Sequence, residues 1–360
     1  VKHIINKMLL TYKFRIYPEK KQVKRINHNF DVCREIYNKL LELNIKTYKS
    51  KKKSLNKYDF NNHMKGINNE IHSQVIQNVS DRVSKAFQNF YRRLKDKNCK
   101  KKGFPRYKNK VKSITYPQSG FKLNNRKLYC SKIGNIPIKL HRKLEGKIKT
   151  LTIKQNQANQ YFACFSVEKE NKKAKHKSNK KIGIDLGLNN FITLSNGNKI
   201  NNPRYLIKSE IKLKRLQRNL SRKKKGSKNR KKFVLRVAKL HNQIENQRTD
   251  FLHKLSYNLT KSYSLIAIEE LKIKNMVKNR HLSKSISDAS WNIFIQMLSY
   301  KAVTSGGQLI KVNPRNTTKE CNNCKSIMEI PLSRRIFNCD NCGLKIDRDL
   351  NAALNIYSRA

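Results

Sequence analysis

Residues 181–200 read KIGIDLGLNNFITLSNGNKI and mark a sharp change in the character of the chain. Their pattern predicts a strand, a glycine turn and a second strand, joined as a hairpin. Asp185 lies inside the apolar part of the first strand, where a carboxylate costs free energy unless it is paired or binds a metal. Gly187 is expected to let the backbone approach a ligand closely. Asp185 is therefore the first candidate for a functional site.

The sequence after this hairpin alternates between helical and strand patterns. Residues 206–262 are predicted to be helical with a very basic centre, since twelve of the 21 residues 212–232 are lysine or arginine. The other predicted elements are a buried strand at 262–271, an amphipathic helix at 287–306 that ends near Gly306, a strand at 308–314 and a helix at 347–360. This order of elements predicts an α/β fold that carries a small inserted module.

Acidic residues at the ends of two later elements are the other site candidates. Glu269 ends the buried strand, and its neighbour Glu270 is the competing choice, because strand alternation places only one of them on the face of Asp185. Asp347 or Asp349 begins the last helix, where aspartate is also a favoured cap. Converging carboxylates suit hard cations, and a pair of Mg²⁺ ions can activate a water and stabilise a leaving oxygen. The acids therefore predict a metal-dependent site for phosphodiester cleavage.

The eight cysteines fall into two groups. The scattered ones are Cys33, Cys99, Cys130 and Cys164. The others form two CxxC pairs, Cys321 with Cys324 and Cys339 with Cys342, and Gly343 permits a tight turn after the second pair. Four thiolates leave no open coordination position, which indicates one structural Zn²⁺. The segment between the pairs is too short to fold without the metal. This usage of cysteine suits an intracellular protein better than a disulfide scaffold.

The first half of the chain has a different organisation. Alternating residues 9–17 predict a strand that Pro18 stops. The following expectations are helices within 19–95, a basic loop at 96–112, short strands and turns over 113–170, and a polar, basic linker at 171–181. Met8 begins a more natural start than Val1, so residues 1–7 are expected to be a leader or a translation-start artefact.

The composition indicates a polyanionic partner. The 360 residues, enough for two or three domains, include 82 lysines and arginines against 23 acidic residues, a formal net charge of +59. A nucleic acid would supply the missing countercharge. A membrane fits poorly, because basic residues run the whole length, no apolar run approaches ~20 residues and no signal peptide is visible. We therefore expect an intracellular, cytoplasmic or nucleoid protein, or a nuclear one in a eukaryotic host.

These motifs, taken in order, resemble the TnpB (OrfB) proteins of bacterial insertion sequences. The matching segments are YKFRIYP at 12–18, GFPRYK at 103–108, ITYPQ at 114–118, GIDLG at 183–187, LSRKKKGSKNRKK at 220–232, NQRTDFLHKLS at 246–256, IAIEEL at 266–271, SISDASWNIFIQMLSYKA at 285–302, the two CxxC pairs, and DRDLNAALNI at 347–356. The resemblance spans nearly the whole chain from Met8. Lys325 departs from it, since many members have glycine after the first CxxC pair.

The resemblance implies an RNA-guided DNA endonuclease encoded by a transposable element and related to compact CRISPR effectors and to Fanzor proteins. Members have often been labelled transposases. Their catalytic acids match Asp185, Glu269 and Asp349, which settles the two alternatives that the residues alone leave open. The implied cofactors are two catalytic Mg²⁺ ions and one structural Zn²⁺. The implied partners are a guide RNA from the transposon end and double-stranded target DNA, with the protein a monomer or weak dimer.

The resemblance also implies a domain organisation. It predicts a ribonuclease H-like (RuvC-type) nuclease domain with an inserted zinc ribbon, and an N-terminal β-barrel with a helical insertion. The corresponding ranges are 8–20 and 110–175 for the wedge-like barrel, 21–109 for the helical recognition domain, 180–315 and 344–360 for the nuclease domain, and 316–343 for the zinc ribbon.

The basic regions are expected to hold an RNA–DNA heteroduplex through its backbone. The candidate regions are the run 212–232 and the loop 96–112. The candidate contact residues are Lys223, Lys224, Lys225, Lys228, Arg230, Lys231, Arg106 and Tyr107. Phe104, Tyr107 and Tyr116 are suited either to stacking on bases or to packing in the core.

Two other functions are compatible with these patterns. One is a DNA-binding protein that assists transposition, although nothing resembles the nucleophile site of a tyrosine or serine recombinase. The other is an RNA-guided DNA binder that has lost cleavage. The presence of all three acids argues against the second of these.

Overall fold

A computed structural model describes residues 7–66, 70–170, 176–331 and 334–360, without the side chain of Lys7. The expected leader lies outside these residues except for the backbone of Lys7, as do residues 171–175 of the expected linker. The chain divides into two compact units, Val1–Glu170 and Asn171–Ala360. None of the described helices is both long and apolar enough to cross a membrane.

The first unit consists of an antiparallel sheet with helices inserted after its first strand. Its elements are β1 (Lys7–Ile16), α1 (Lys20–Lys51), α2 (Lys57–His63), α3 (Ser73–Lys95), β2 (Ser113–Tyr116), β3 (Phe121–Asn124), β4 (Lys127–Cys130), β5 (Gly134–Lys139), β6 (Lys147–Gln155) and β7 (Tyr161–Glu170). The strand order is β2-β6-β7-β1-β5-β4-β3.

This sheet curls into a nearly closed barrel. The strands β2 and β3 lie at opposite ends of the order, yet the rings of Tyr116 and Phe121 on them are 6.4 Å apart. Phe121 also lies 6.5 Å from Phe165 on β7, which is separated from β3 by β1, β5 and β4 in the strand order. Residues of α1–α3 and residues of the strands belong to one continuous apolar core. The predicted barrel with a helical insertion is therefore present, and this unit contains both strands and helices.

The second unit contains a mixed sheet, a helical hairpin and a small cysteine-bearing module. Its elements are β8 (Lys181–Leu186), β9 (Asn190–Leu194), β10 (Lys199–Asn201), α4 (Tyr205–Ser221), α5 (Lys228–Ser262), β11 (Leu265–Glu269), α6 (Ile273–Met276), α7 (Ser283–Ala289), α8 (Trp291–Thr304), β12 (Gln308–Val312), β13 (Ile336–Asn338), β14 (Lys345–Asp347) and α9 (Arg348–Ser358).

The five-stranded sheet of this unit has the order β10-β9-β8-β11-β12. The pairs β10–β9 and β9–β8 are antiparallel, whereas β8–β11 and β11–β12 are parallel. β8 and β11 are nearly continuous apolar runs, as expected for strands buried on both faces. The predicted strands and hairpin are thus confirmed. They place the parallel pair β8–β11 at the centre of the sheet.

Two expectations from the sequence are wrong in detail. The helix at 206–262 is broken between α4 and α5, where Gly226 has a φ of 85°. The helix at 287–306 is broken at Ser290, whose φ is 55°. Gly187 is required by the turn into β9, because a Cβ there would lie 2.6 Å from the carbonyl oxygen of Asn190.

Candidate functional site

Asp185 and Glu269 lie side by side on the central parallel pair of strands. Ile184 of β8 pairs with Ile268 of β11, so the two acids occupy the next positions along adjacent strands. Each is only 9% exposed. Glu270, in contrast, is exposed and its N–H donates to the carbonyl oxygen of Val312 at 2.9 Å. Of the two neighbouring glutamates, it is therefore Glu269 that shares a buried position with Asp185.

Helix α9 brings Asp349 to the same place. α9 packs directly on β8 at Gly183, where a Cβ would lie 2.6 Å from the backbone nitrogen of Tyr357. Asp347 caps the helix, since its carboxylate accepts hydrogen bonds from the N–H groups of Asp349 and Leu350 at 3.1 and 3.0 Å. The capping role thus belongs to Asp347, which leaves the Asp349 carboxylate available for another role.

The electrostatics show that the three carboxylates converge. Burial raises the pKa of Asp185 well above its usual value, and the nearby charges of Glu269 and Asp349 raise it further. Arg348 opposes these effects in part. We call Asp185, Glu269 and Asp349 the acidic cluster. Asp185 and Glu269 are buried and Asp349 is partly buried, and the oxygen donors of these three like charges suit hard divalent cations such as Mg²⁺.

The Glu269 carboxylate is oriented by a neighbouring hydroxyl. Thr317, which is buried, donates a hydrogen bond from Oγ1 to Glu269 Oε1. Burial raises the pKa of Glu269, whereas the Thr317 hydrogen bond and the charge of Arg359 lower it. Asp349 has a different environment, with Arg348 Nη2 at 3.5 Å and Arg335 Nη1 at 3.9 Å from its Oδ1.

The four cysteines of the CxxC pairs form the second cluster, here called the cysteine cluster. Its members are Cys321, Cys324, Cys339 and Cys342, whose sulfurs all lie within 4.8 Å of one another. The closest separations are 3.6 Å for Cys321–Cys342 and 3.5 Å for Cys324–Cys339. Four sulfurs around a tetrahedral Zn²⁺ lie about 3.8 Å apart. The donor set and its spacing therefore fit one zinc ion.

The two CxxC turns have the same backbone geometry. Lys325 N donates to Cys321 O at 3.0 Å in the first knuckle, and Gly343 N donates to Cys339 O at 2.9 Å in the second. Both Lys325 and Gly343 are left-handed, with φ of 62° and 72°. Lysine thus occupies a position that favours glycine, which is where the sequence departs from the family pattern.

The basic run 212–232 forms the end of the α4–α5 helical hairpin. Lys224, Lys225, Lys228 and Lys231 are exposed there. Arg230 is a different case, because its Nη1 donates to the carbonyl oxygens of Leu220 and Lys223 at 2.9 and 3.2 Å. Its guanidinium therefore holds the turn between the helices together, a role that the sequence did not indicate.

The loop 96–112 lines one side of a cavity in the first unit. Asn38 on α1 holds the backbone of Lys108 by two hydrogen bonds of 2.8 and 3.1 Å. The cavity has a volume of about 430 Å³. Its cationic lining residues are Arg82, Lys85, Lys108, Lys110 and Lys112, and no carboxylate of the described chain lines it. The loop thus presents a fixed, positively charged surface.

The aromatic candidates of this region divide between surface and core. Tyr107 is 54% exposed, and its neighbour Arg106 is also exposed. Phe104 packs edge-on against Phe90 at 5.1 Å. Tyr116 is fully buried and is therefore a core residue that cannot stack on a base.

The structure adds functional neighbours that sequence reasoning missed. They are Gly183, Thr317, Asn351 and Asn355. A buried asparagine and a buried threonine have no spacing signal of their own. Gly183 lies inside the motif GIDLG, and Asn351 and Asn355 lie inside DRDLNAALNI, whereas Thr317 lies outside the matching segments.

Three family models match parts of this chain. They are described as "Probable transposase" over residues 164–280, "Cas12f1-like, TNB domain" over residues 291–356 and "Helix-turn-helix domain" over residues 8–53. The residues of the last match form the strand β1 and the single helix α1 in this structure. The first match includes Asp185 and Glu269, and the second includes Asp349 and the cysteine cluster.

Two similar proteins are provisionally named as RNA-guided DNA endonucleases. One, from Streptomyces pristinaespiralis, is 33% identical over 96% of this chain and 88% of its own length. The other, from Escherichia coli (strain K12), is 29% identical over 98% of this chain and 92% of its own length. The solved structure of the mini-RNA-guided endonuclease CRISPR-Cas_phi3 is similar at a TM-score of 0.45 and 13% identity, covering 98% of this chain and 92% of that chain. A likeness at that level is too weak to carry a conclusion.

Proposed function

Because this chain belongs to the TnpB (OrfB) family, we propose that it is an RNA-guided, Mg²⁺-dependent DNA endonuclease whose acidic cluster cleaves phosphodiester bonds. The proposal rests chiefly on one observation. Three carboxylates from β8, β11 and α9, far apart in sequence, lie near one another in a protein with a net charge of +59, with Asp185 and Glu269 buried and Asp349 partly buried. Such a cluster is costly unless divalent cations offset its charge.

Each acid would contribute differently to the reaction. When bound, a pair of Mg²⁺ ions supplies a water activated for attack and stabilises the leaving oxygen. Asp185, on the central strand, would offer its oxygens from a buried, rigid position. Glu269 is oriented by the Thr317 hydroxyl. Asp349, freed from capping by Asp347, would complete the oxygen ligands from the helix side.

We also propose that the five-stranded sheet with α5, α8 and α9 is the ribonuclease H-like core that the resemblance implies. In support, its sheet is mixed and its acids lie together on the central parallel pair. The cysteine cluster would hold one structural Zn²⁺, since four thiolates leave no position open for a substrate. The zinc ribbon interrupts this core between β12 and α9.

The partners of the proposed activity are a guide RNA and a double-stranded DNA target. The guide would come from the transposon end, and the protein would act as a monomer or weak dimer in the compartment that holds the host genome. The end of the α4–α5 hairpin and the loop 96–112 each offer exposed cations for nucleic-acid phosphates. Lys224, Lys225 and Lys228 are better candidates than Arg230, which is engaged by backbone carbonyls.

The test begins with the RNA that co-purifies with the protein. Sequencing this RNA identifies the guide, and a library with a matching target beside randomised flanks then reports cleavage. We expect Mg²⁺-dependent double-strand cleavage by the parent and a loss of about a thousandfold or more for Asp185→Ala, because a lost metal ligand removes several kcal/mol of transition-state stabilisation. Asp250→Ala, which removes an exposed aspartate of α5, is the matched control.

Two results would contradict the proposal. Cleavage by Asp185→Ala at the rate of the parent would refute the acidic cluster as the site. Target binding without cleavage by the parent would favour an RNA-guided DNA binder. Because one family model is described as "Probable transposase", a strand-joining assay is also needed. Strand joining instead of hydrolysis would indicate a direct role in transposition.

A further inference from the structure

A continuous hydrogen-bond network connects Glu269 to the zinc ribbon. It starts at Thr317, whose hydroxyl donates to Glu269 Oε1 and whose side chain is 2% exposed. The Thr317 carbonyl oxygen accepts a hydrogen bond of 3.1 Å from Asn355 Nδ2. The same amide group donates to the carbonyl oxygen of Glu320 at 2.7 Å. Asn355 therefore fixes both ends of the short segment 317–320.

A second asparagine of α9 continues the network into the first knuckle. Asn351 Nδ2 donates to the Glu320 carbonyl oxygen at 2.8 Å. Asn351 Oδ1 accepts a hydrogen bond of 2.9 Å from the N–H of Asn322, which lies between Cys321 and Cys324. Both asparagines are fully buried. Because buried amides are costly to leave unpaired, these contacts hold the knuckle firmly on α9.

The geometry of this network has a consequence for the acidic cluster. Helix α9 carries Asp349 in its first turn, and the two asparagines follow two and six residues later. The knuckle that they hold is continuous with Glu320 and Thr317, and Thr317 orients Glu269. The zinc ribbon is thus tied to both the strand side and the helix side of the acidic cluster.

We propose that Thr317 and Asn355 are positioning residues, and that through them the zinc-bound first knuckle keeps Glu269 in place to bind a divalent cation. This inference rests on the proposed function of the acidic cluster. Thr317 acts through Glu269, to which its hydroxyl donates, and the same hydroxyl lies 3.2 Å from the Pro314 carbonyl oxygen. Zinc therefore has a second effect besides folding the ribbon, which is to set the affinity of the acidic cluster for divalent cations.

The test measures Mn²⁺ binding to the full-length, zinc-loaded protein by electron paramagnetic resonance. Thr317→Val keeps the shape of the side chain and removes the hydroxyl, so we expect Mn²⁺ to bind about tenfold more weakly. Thr317→Ser restores the hydroxyl and should bind Mn²⁺ like the parent. The matched control is Thr260→Val, which removes an equally buried hydroxyl whose hydrogen bond of 2.8 Å to Ser256 O lies within α5.

A second variant guards against a simple folding defect. Asn355→Leu keeps the branching of the side chain, with methyl groups in place of the amide oxygen and nitrogen, but leaves the carbonyl oxygens of Thr317 and Glu320 without this donor. We expect weaker Mn²⁺ binding again, with the zinc content of the protein, measured by mass spectrometry, still near one per chain. Unchanged Mn²⁺ binding in both Thr317→Val and Asn355→Leu would overturn the inference.

The same experiment separates this inference from the proposed function. If the parent neither binds Mn²⁺ nor cleaves a guided target, the proposed function fails, and the inference fails with it. If the parent binds Mn²⁺ and cleaves, but Thr317→Val does both equally well, only the inference is overturned. Weaker Mn²⁺ binding by Thr260→Val as well would also overturn it, because the effect would then not be specific to Thr317.

Discussion

The acidic cluster and the cysteine cluster belong to the same unit, but they are assembled in different ways. The cysteine cluster comes from two short turns, of which the second lies between the strands of the small sheet β13–β14. The acidic cluster takes one residue from each of three elements that only the complete fold brings together. A cluster made by local turns can be recognised from spacing, whereas a cluster made by tertiary structure can be recognised only from the context of each residue.

The two clusters also differ in their effect on the stability of the folded protein. Zinc binding to four thiolates contributes directly to folding free energy. The acidic cluster instead brings like charges together in a buried place, as the raised pKa of Asp185 records. We therefore expect the cysteine cluster to stabilise the protein and the acidic cluster to destabilise it when no divalent cation is bound. The predictions below test this contrast.

Removal of a zinc ligand should have the largest effect. Structural zinc contributes about 10–16 kcal/mol of apparent binding free energy in small zinc modules. Cys339→Ser should therefore lose the metal and expose residues 316–347 to proteolysis, as measured by mass spectrometry of the metal content and of the cleaved peptides. Cys99→Ser, outside the cluster, should keep one zinc ion. A native protein that contains no zinc would contradict this account.

Loss of a charge from the acidic cluster should raise the stability of the protein, which is opposite to the effect of losing a zinc ligand. Because folding raises the pKa of Asp185, the folded protein binds more protons than the unfolded chain at pH values above about 3.9, and stability falls as the pH rises toward the folded pKa. Asp185→Asn has no ionisable group at this position, so it does not lose stability in this way as the pH rises. In zinc-loaded protein without Mg²⁺, we expect it to be more stable than the parent by about 1 kcal/mol at pH 8.

The pH dependence distinguishes this effect from a general one. The stability difference between Asp185→Asn and the parent should shrink as the pH falls toward 4, as followed by thermal unfolding. Asp250→Asn, at an exposed position, should show no such trend. If Asp185→Asn is less stable than the parent at pH 8, other groups of the folded protein must offset the charge of the Asp185 carboxylate.

The smallest predicted effect compares the two knuckles. Lys325 and Gly343 occupy equivalent left-handed positions, and a side chain costs about 1 kcal/mol there. Lys325→Gly should therefore raise the stability of the ribbon by about that amount, and Gly343→Ala should lower it similarly. Thermal unfolding with zinc bound provides the measurement. A loss of stability in Lys325→Gly would show that the contacts of Lys325 Nζ with Asn355 and Glu320 outweigh the backbone strain.

The sequence predicted most of the parts from which both clusters are built. The apolar runs around Asp185 and Glu269 identified β8 and β11, since strands buried on both faces have few polar residues. The CxxC spacing identified the cysteine cluster outright. Backbone breaks were harder, because Ser290 adopts a left-handed φ although it is not a glycine and Gly226 lies in a run whose basic residues resemble one long helix.

The support around the clusters could not be predicted. Asn351 and Asn355 face the zinc ribbon only because α9 crosses β8 at Gly183, a contact that depends on the whole fold. Thr317 has no motif of its own. The choice of Glu269 over Glu270 needed the family resemblance, and the structure gives it a physical reason, which is the burial of one and the exposure of the other.

Cleavage of a guided target by Glu269→Gln and Glu270→Gln, side by side, tests the central claim most directly. The two variants remove the same charge from adjacent residues, so they change the net charge of the protein alike. We expect Glu269→Gln to cleave about a thousandfold more slowly than the parent, because it loses a metal ligand, and Glu270→Gln to cleave at a rate close to the parent's. Equal rates for the two variants, or a loss confined to Glu270→Gln, would contradict the assignment of the acidic cluster.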